Sequence, residues 1–212
     1  MADFFDARLD GYEAHQLDCI ASAREFYPFT AACLPAAPGA RILDLGCGTG
    51  LELESYFARN PTAEITGIDL APGMLHALRE KYAGKRLTLV LGSYFDVSFG
   101  EQLFDAAVSV ESLHHFTKKE KIPLYGKLCK ALKPGGCFIL TDYFSLSEEE
   151  ERRHRRELDR LKKEQGLPDN ELFHYDTPLT VAHETEALRS AGFSPVEVLK
   201  RWGPTFTLKA SR

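Results

Sequence analysis

A basic surplus is missing from this sequence: 26 Lys and Arg stand against 31 Asp and Glu, a net charge of −5. A nucleic-acid partner is normally met by a basic face, so DNA or RNA is not an expected partner. Long hydrophobic runs are missing too. None approaches the roughly 20 residues of a membrane helix, and no membrane partner is expected. The amino-terminal residues, MADFFDARLDGYEAH, carry acids and no apolar core, unlike a secretory signal. Cysteine is sparse: five residues, at 19, 33, 47, 129 and 137, with no paired spacing. That supports neither a disulfide framework nor a zinc site, so a reduced cytoplasmic protein with no bound metal is expected. Internal repeats and low-complexity linkers are absent, and 212 residues suit one domain. No Gly-x-Ser-x-Gly elbow occurs, so hydrolysis has no support.

What is present is alternation. Residues 1–38 read as an amino-terminal helical cap, closed by Pro35, Pro38 and Gly39. A core over 40–143 follows, with strands at 41–45, 64–70, 86–92, 104–110 and 137–143. Helices are expected at 49–59, 72–82 and 118–131. Strands alternating with helices imply right-handed crossovers and a parallel sheet. The apolar centres LTLVL and CFIL fit burial on both faces, with helices on each side of a doubly wound α/β sheet. Residues 144–180 form a candidate lid. Ser147 caps a charged helix there (about 147–165), with four glutamates in its first turn. Residues 181–212 supply a closing helix and two strands, 195–202 and 205–210. The short Gly203-Pro204 turn makes those two strands antiparallel.

The decisive motif is Ile42-Leu43-Asp44-Leu45-Gly46-Cys47-Gly48-Thr49-Gly50, a strand running through a glycine turn into a helix. Glycines let the backbone turn sharply and approach a ligand, and the helix start offers free N–H donors. A dinucleotide fingerprint needs G-x-G-x-x-G, and the position for its third glycine is Leu51. Asp44 is a poor neighbour for a pyrophosphate but suits a ligand amine. Asp69 ends the next strand, where an acid accepts the two hydroxyls of a ribose. A helix cap is the competing role for it. Leu70 and Met74 are then placed to pack on adenine.

DLGCGTG, the acid in GIDLAPGML and the ALKPGG before the fifth strand together resemble the class I S-adenosylmethionine-dependent methyltransferases. The resemblance covers about residues 40–143, and AGF at 191–193 is similar to the carboxyl end of that family. It implies a Rossmann-like, seven-stranded, mostly parallel sheet with an antiparallel carboxyl-terminal strand. It implies S-adenosylmethionine as cofactor, with Gly46, Gly48 and Gly50 bordering its methionine part and Asp69 its ribose. Ser93 and Tyr94 would flank the adenine; the family often has Asp at the position of Ser93, and Asp96 is a possible substitute. Val110 and Glu111 fall where the family contacts the methionine end.

SVESLHHF after the fourth strand is not an Asn-Pro-Pro-Tyr signal, and no cysteine stands there. Amino methylation of adenine or glutamine and C5 methylation of pyrimidines are therefore disfavoured. His114 and His115 lie at the edge where open α/β sheets bind ligands, so either is a candidate general base. Packing or capping by these histidines competes evenly with that role. Tyr12, His15 and Tyr143 are candidate acceptor contacts. His174 and Tyr175 are read as surface loop, Phe4 and Phe5 as packing. The resulting expectation is methyl transfer to a small-molecule acceptor. A non-catalytic S-adenosylmethionine-binding module and an NAD-dependent oxidoreductase are the alternatives. Oligomeric state has no signal.

Overall fold

In a computed structural model, the structure describes residues 9, 11–168, 173 and 175–212. Phe4, Phe5 and His174 lie outside them. Two helices, α1 (Tyr12–Cys19) and α2 (Ala23–Cys33), precede the sheet. The core then alternates: β1 (Arg41–Leu45), α3 (Leu51–Arg59), β2 (Glu64–Asp69), α4 (Pro72–Lys81), β3 (Arg86–Leu91) and β4 (Phe104–Val110). A 3-10 turn at Leu113–His115 leads to α5 (Lys118–Ala131) and β5 (Leu132–Tyr143). The chain closes with α6 (Glu148–Glu164), α7 (Val181–Ser190), β6 (Val196–Trp202) and β7 (Thr205–Ser211).

The seven strands lie in the order β3-β2-β1-β4-β5-β7-β6. Those from β1 to β5 pair in parallel, and β7 runs antiparallel to both β5 and β6. The expected doubly wound α/β sheet with an antiparallel carboxyl-terminal strand is therefore present. Several boundaries differ from expectation. The 1–38 segment is broken between Ile20 and Ser22, where Ser22 takes a φ of 63°. β5 begins at Leu132 rather than 137, because Leu132 pairs with Phe104 across an irregularity in the ladder. β2 and β3 each stop one residue early.

Side-chain alternation along the strands divides the core. Ile42, Ile65, Val108 and Ile139 face α2 and α3, with Phe26, Tyr27, Leu53 and Tyr56 packed on them. Leu43, Ala107, Phe138 and Leu140 face α5 and α7, against Leu124, Leu128, Ala187 and Leu188. This is the two-residue period of a strand buried on both sides. Thr141 links the layers through a buried hydroxyl chain, 2.5 Å from Thr30 Oγ1 and 2.8 Å from Thr207 Oγ1. Two of the helix starts are held by their own residues. Thr117 and Glu120 form a capping box on α5, and Ser147 Oγ accepts the Glu150 N–H on α6.

Candidate functional site

The strand order reverses beside β1, which has β2 on one side and β4 on the other. Crevices of open α/β sheets form at such a point, outside the carboxyl ends of the strands. Here β1 runs into Gly46, at a φ of 71°. A Cβ at Gly46 would stand 2.1 Å from Ser112 Oγ, so the turn and the β4 loop approach with no room for a side chain. A Cβ at Gly48 would meet the Tyr12 hydroxyl at 3.7 Å, which places α1 over the glycine turn. Glu13 binds Lys81 at 2.7 Å and ties α1 to α4.

The Asp69 carboxylate lies on the wall of this cleft. One oxygen accepts the Gly48 N–H and the other the Ala71 N–H, both at 2.9 Å. It thus joins the glycine turn to the start of α4. Leu70, Met74, Tyr94 and Val110 share the same wall with Gly46 and Gly48. Tyr12, Glu111, Ser112 and His115 complete it. The free space is about 570 Å³, counting the part open to solvent, in the range of small-molecule sites.

Three residues expected at the cofactor lie off this wall. Gly50, at a φ of 71°, turns toward Leu53, Leu78 and Tyr82 and serves packing of α3. Ser93 Oγ accepts the Phe95 N–H at 3.2 Å, a local turn contact, and Asp96 is exposed. Asp44 is buried beneath the turn beside Glu52. Asp44 Oδ2 and Glu52 Oε1 have no donor at hydrogen-bond geometry. Burial, then the Glu52 carboxyl, pushes the Asp44 pKa well above the usual carboxylate range. Burial raises Glu52 as well, and its contact with Asp44 offsets this only in part. Among the expected acceptor contacts, Tyr12 is on the wall. His15 is exposed on α1 and is not among the residues of the cleft wall. Tyr143 stands behind His114, with ring centroids 6.2 Å apart.

The two histidines are placed differently. His114 Nδ1 lies 2.5 Å from Asp142 Oδ1. Asp142 is fully buried and also accepts the N–H groups of Leu113 and Tyr143, each at 2.9 Å. Burial alone would lower the His114 pKa, but Asp142, then Glu111 and Asp176, push it up to about 9. Glu111 takes a φ of 49°, an uncommon backbone for a non-glycine residue, directly at the end of β4. Its N–H donates to Thr141 O at 2.9 Å, and its Oε1 is buried without a partner. Burial and Asp142 raise the Glu111 pKa to about 8 against the opposing effect of His114. His115 stands on the cleft wall with Nδ1 3.1 Å from Asp176. Asp142 ends β5 beside Tyr143, where the sequence leaves facing the acceptor and capping the sheet as its alternatives, whereas Asp176 and Ser112 carry no sequence signal. Asp176 sits in a loop 61 positions after His115, so no local pattern marks it.

Residues 42–136 match the family model described as a methyltransferase domain. The chain is 35% identical over 126 residues to a trans-aconitate 2-methyltransferase of Methylobacterium nodulans, covering 59% of this chain and 46% of that protein. It is 28% identical over 137 residues to 24-methylenesterol C-methyltransferase 3 of Arabidopsis thaliana, covering 62% and 37%. The matches span about a third to just over half of the lengths of these curated relatives. Among solved structures, the fold is similar to the methyltransferase in complex with the Haloferax volcanii Trm112 activator. That match has a TM-score of 0.70, 20% identity and coverage of 98% of this chain and 96% of that one. Human N-acetylserotonin methyltransferase with S-adenosylmethionine gives 0.62 and 20%, covering 88% and 51%. With the glycine turn, the acid ending β2 and the sheet order all in place, the chain is similar over residues 42–136 to a methyltransferase domain, and its fold is that of class I S-adenosylmethionine-dependent methyltransferases.

Proposed function

We propose that this chain transfers the methyl group of S-adenosylmethionine to a small-molecule acceptor. The observation that carries this reading is one shared wall. The glycine turn with Asp69 and the acceptor-side groups Glu111 and His115 border the same cleft. The residues present fit the cofactor. Gly46 and Gly48 bare their backbone on the cleft wall, with the Asp69 carboxylate beside them. Asp69 suits the ribose, Leu70 and Met74 the adenine, and the turn at Gly46 and Gly48 the methionine part. When bound, the cofactor supplies a methyl group on a sulfonium, open to in-line displacement.

The chain's own task is placement and exclusion of water. Tyr12 covers the glycine turn from above. His115 and Glu111 face the acceptor side, and Asp142 holds the His114 ring in one orientation. The acidic lining suits a cationic cofactor and would favour release once the sulfonium charge is gone. Relatives named for trans-aconitate and 24-methylenesterol act on small molecules, which supports a small acceptor here.

Calorimetry with S-adenosylhomocysteine and NAD, followed by an acceptor library scored for S-adenosylhomocysteine release, tests the proposal. Binding of S-adenosylhomocysteine but not NAD is expected, with turnover of a small acceptor. Tight NAD binding alone would sink it. Binding with no acceptor turned over would favour a non-catalytic module.

A further inference from the structure

We propose that His114, His115 and Asp176 form a divalent-metal site at the acceptor end of the cleft. Each offers one ligand atom, and these atoms lie within 4.8 Å of one another. His115 Nδ1 is 3.1 Å and His114 Nε2 3.6 Å from Asp176 Oδ1. Bonds of about 2.0–2.1 Å at tetrahedral angles set neighbouring ligand atoms roughly 3.3–3.4 Å apart. The two measured edges bracket that value, and the histidine–histidine edge lies within 4.8 Å.

The surroundings are those of a built site. Asp142 holds His114 Nδ1, which leaves Nε2 to face Asp176. A carboxylate behind a ligating imidazole fixes ring orientation and raises ligand basicity. Asp176 is positioned through its neighbour, because the Thr177 N–H donates to His114 O at 2.8 Å. The loop bearing the carboxylate is thus tied to the backbone of one of the histidines. The two rings stand 4.1 Å apart between centroids. The carboxylates of Asp142 and Asp176 adjoin the two imidazoles and attract a cation. Asp176 is half exposed, which leaves an entry path.

Two imidazoles and one carboxylate suit zinc, cobalt, nickel or ferrous iron better than magnesium or calcium. Three protein ligands leave the fourth position open, as in catalytic rather than structural sites. Because His115 also lines the cofactor cleft, the open position borders the cofactor. It would take an oxygen acceptor, such as a hydroxy acid, an enol or a catechol. The acceptor hydroxyl, acidified by the metal, releases its proton to water. Its oxygen then bonds the methyl carbon as the carbon–sulfur bond breaks, and the electron pair stays on sulfur. This acceptor role rests on the methyl-transfer reading, whereas the metal site does not.

The test uses the full chain, stripped with chelator and titrated with Co²⁺ while the visible spectrum is recorded. One equivalent should bind with the intense bands of a four-coordinate N/O site. His115→Gln and Asp176→Asn should each weaken binding by about 10- to 100-fold. His76→Gln, at an exposed residue of α4, serves as the control and should not change it. S-adenosylhomocysteine calorimetry on every variant checks the fold and reports separately on the methyltransferase reading. No stoichiometric binding, or only the pale spectrum of a six-coordinate ion, overturns the site. So does affinity unchanged in both variants. Should the variants fail to fold, the wild-type stoichiometry and spectrum decide alone.

Discussion

Gly46 and Asp69 carry different demands on the same turn. Gly46→Ala puts an L residue into the left-handed region, at a cost of roughly 1–2 kcal/mol, and drives its methyl into Ser112. Both melting temperature and S-adenosylhomocysteine affinity should fall. Adding Ser112→Gly should recover the part due to overlap but not the part due to backbone strain. A Gly46→Ala protein with wild-type melting temperature and affinity would contradict the geometry. Asp69→Ala removes the acceptor for the Gly48 and Ala71 N–H groups together with any ribose contact. Charge-assisted hydrogen bonds contribute about 1.5–3 kcal/mol each before desolvation. Affinity should therefore drop at least about tenfold, which requires only 1.4 kcal/mol. Calorimetry beside circular dichroism separates this from unfolding.

Between elements, two buried charge pairs behave oppositely. Asp44 on β1 and Glu52 on α3 are both raised by burial, Asp44 further by its neighbour. From the ordinary carboxyl pKa near 4 upward, the native chain then holds more protons than the unfolded one. Stability must fall as pH rises through that window, by up to about 1.4 kcal/mol per pH unit for each extra proton held. Glu52→Gln removes one carboxyl and supplies an amide donor to Asp44. Melting curves from about pH 5 to about pH 8 should show a shallower decline and a higher melting temperature at the alkaline end. An unchanged slope would place the effect elsewhere. The second pair joins α5 to α7. Lys121 Nζ lies 2.6 Å from Glu184, both are fully buried, and the Tyr125 hydroxyl donates to the same carboxylate. Glu184→Ala leaves a buried ammonium alone and should cost about 3–5 kcal/mol in urea denaturation. Lys121→Met combined with Glu184→Gln should restore most of that loss, because no uncompensated charge remains and Tyr125 keeps an acceptor.

Across the molecule, the amino-terminal helices reach the glycine turn of the cleft through Tyr12. The sequence makes residues 1–38 a helical cap, with Tyr12 and His15 as candidate acceptor contacts. In the structure Tyr12 overlies Gly48, and burial followed by Asp69, Glu52 and Glu111 holds its hydroxyl protonated far above the usual tyrosine pKa. Deleting residues 1–14 removes Tyr12 and the Glu13–Lys81 bridge together. S-adenosylhomocysteine affinity and turnover should therefore fall jointly, while the sheet and its two cores persist. A deletion variant with full cofactor affinity would return this segment to the acceptor alone. The 144–180 stretch is anchored at one end of the same edge. Glu151 on α6 accepts the Thr180 N–H at 2.6 Å and meets His183 at 2.9 Å.

Local sequence determined the strands and helices because a strand buried on both faces is written as a short apolar run. The glycine turn and Asp69 were legible for the same reason: strand, turn and helix start are contiguous, and their spacing departs from the dinucleotide fingerprint. The antiparallel end of the sheet followed from a two-residue turn. What the chain's order does not contain is contact between distant segments. Asp44 and Glu52, eight positions apart, become a buried carboxyl pair only when α3 folds back on β1. Gly50 ends the glycine motif yet packs toward Leu53, Leu78 and Tyr82, and Ser93 bonds within its own turn. His15 follows Tyr12 by three positions but points to solvent. Glu111, Asp142 and Asp176 converge on His114 and His115 from β4, β5 and a loop past α6. Only closure of the sheet edge brings those charges within a few ångströms, where Coulomb interactions in a dry site become strong enough to set protonation and to attract a cation.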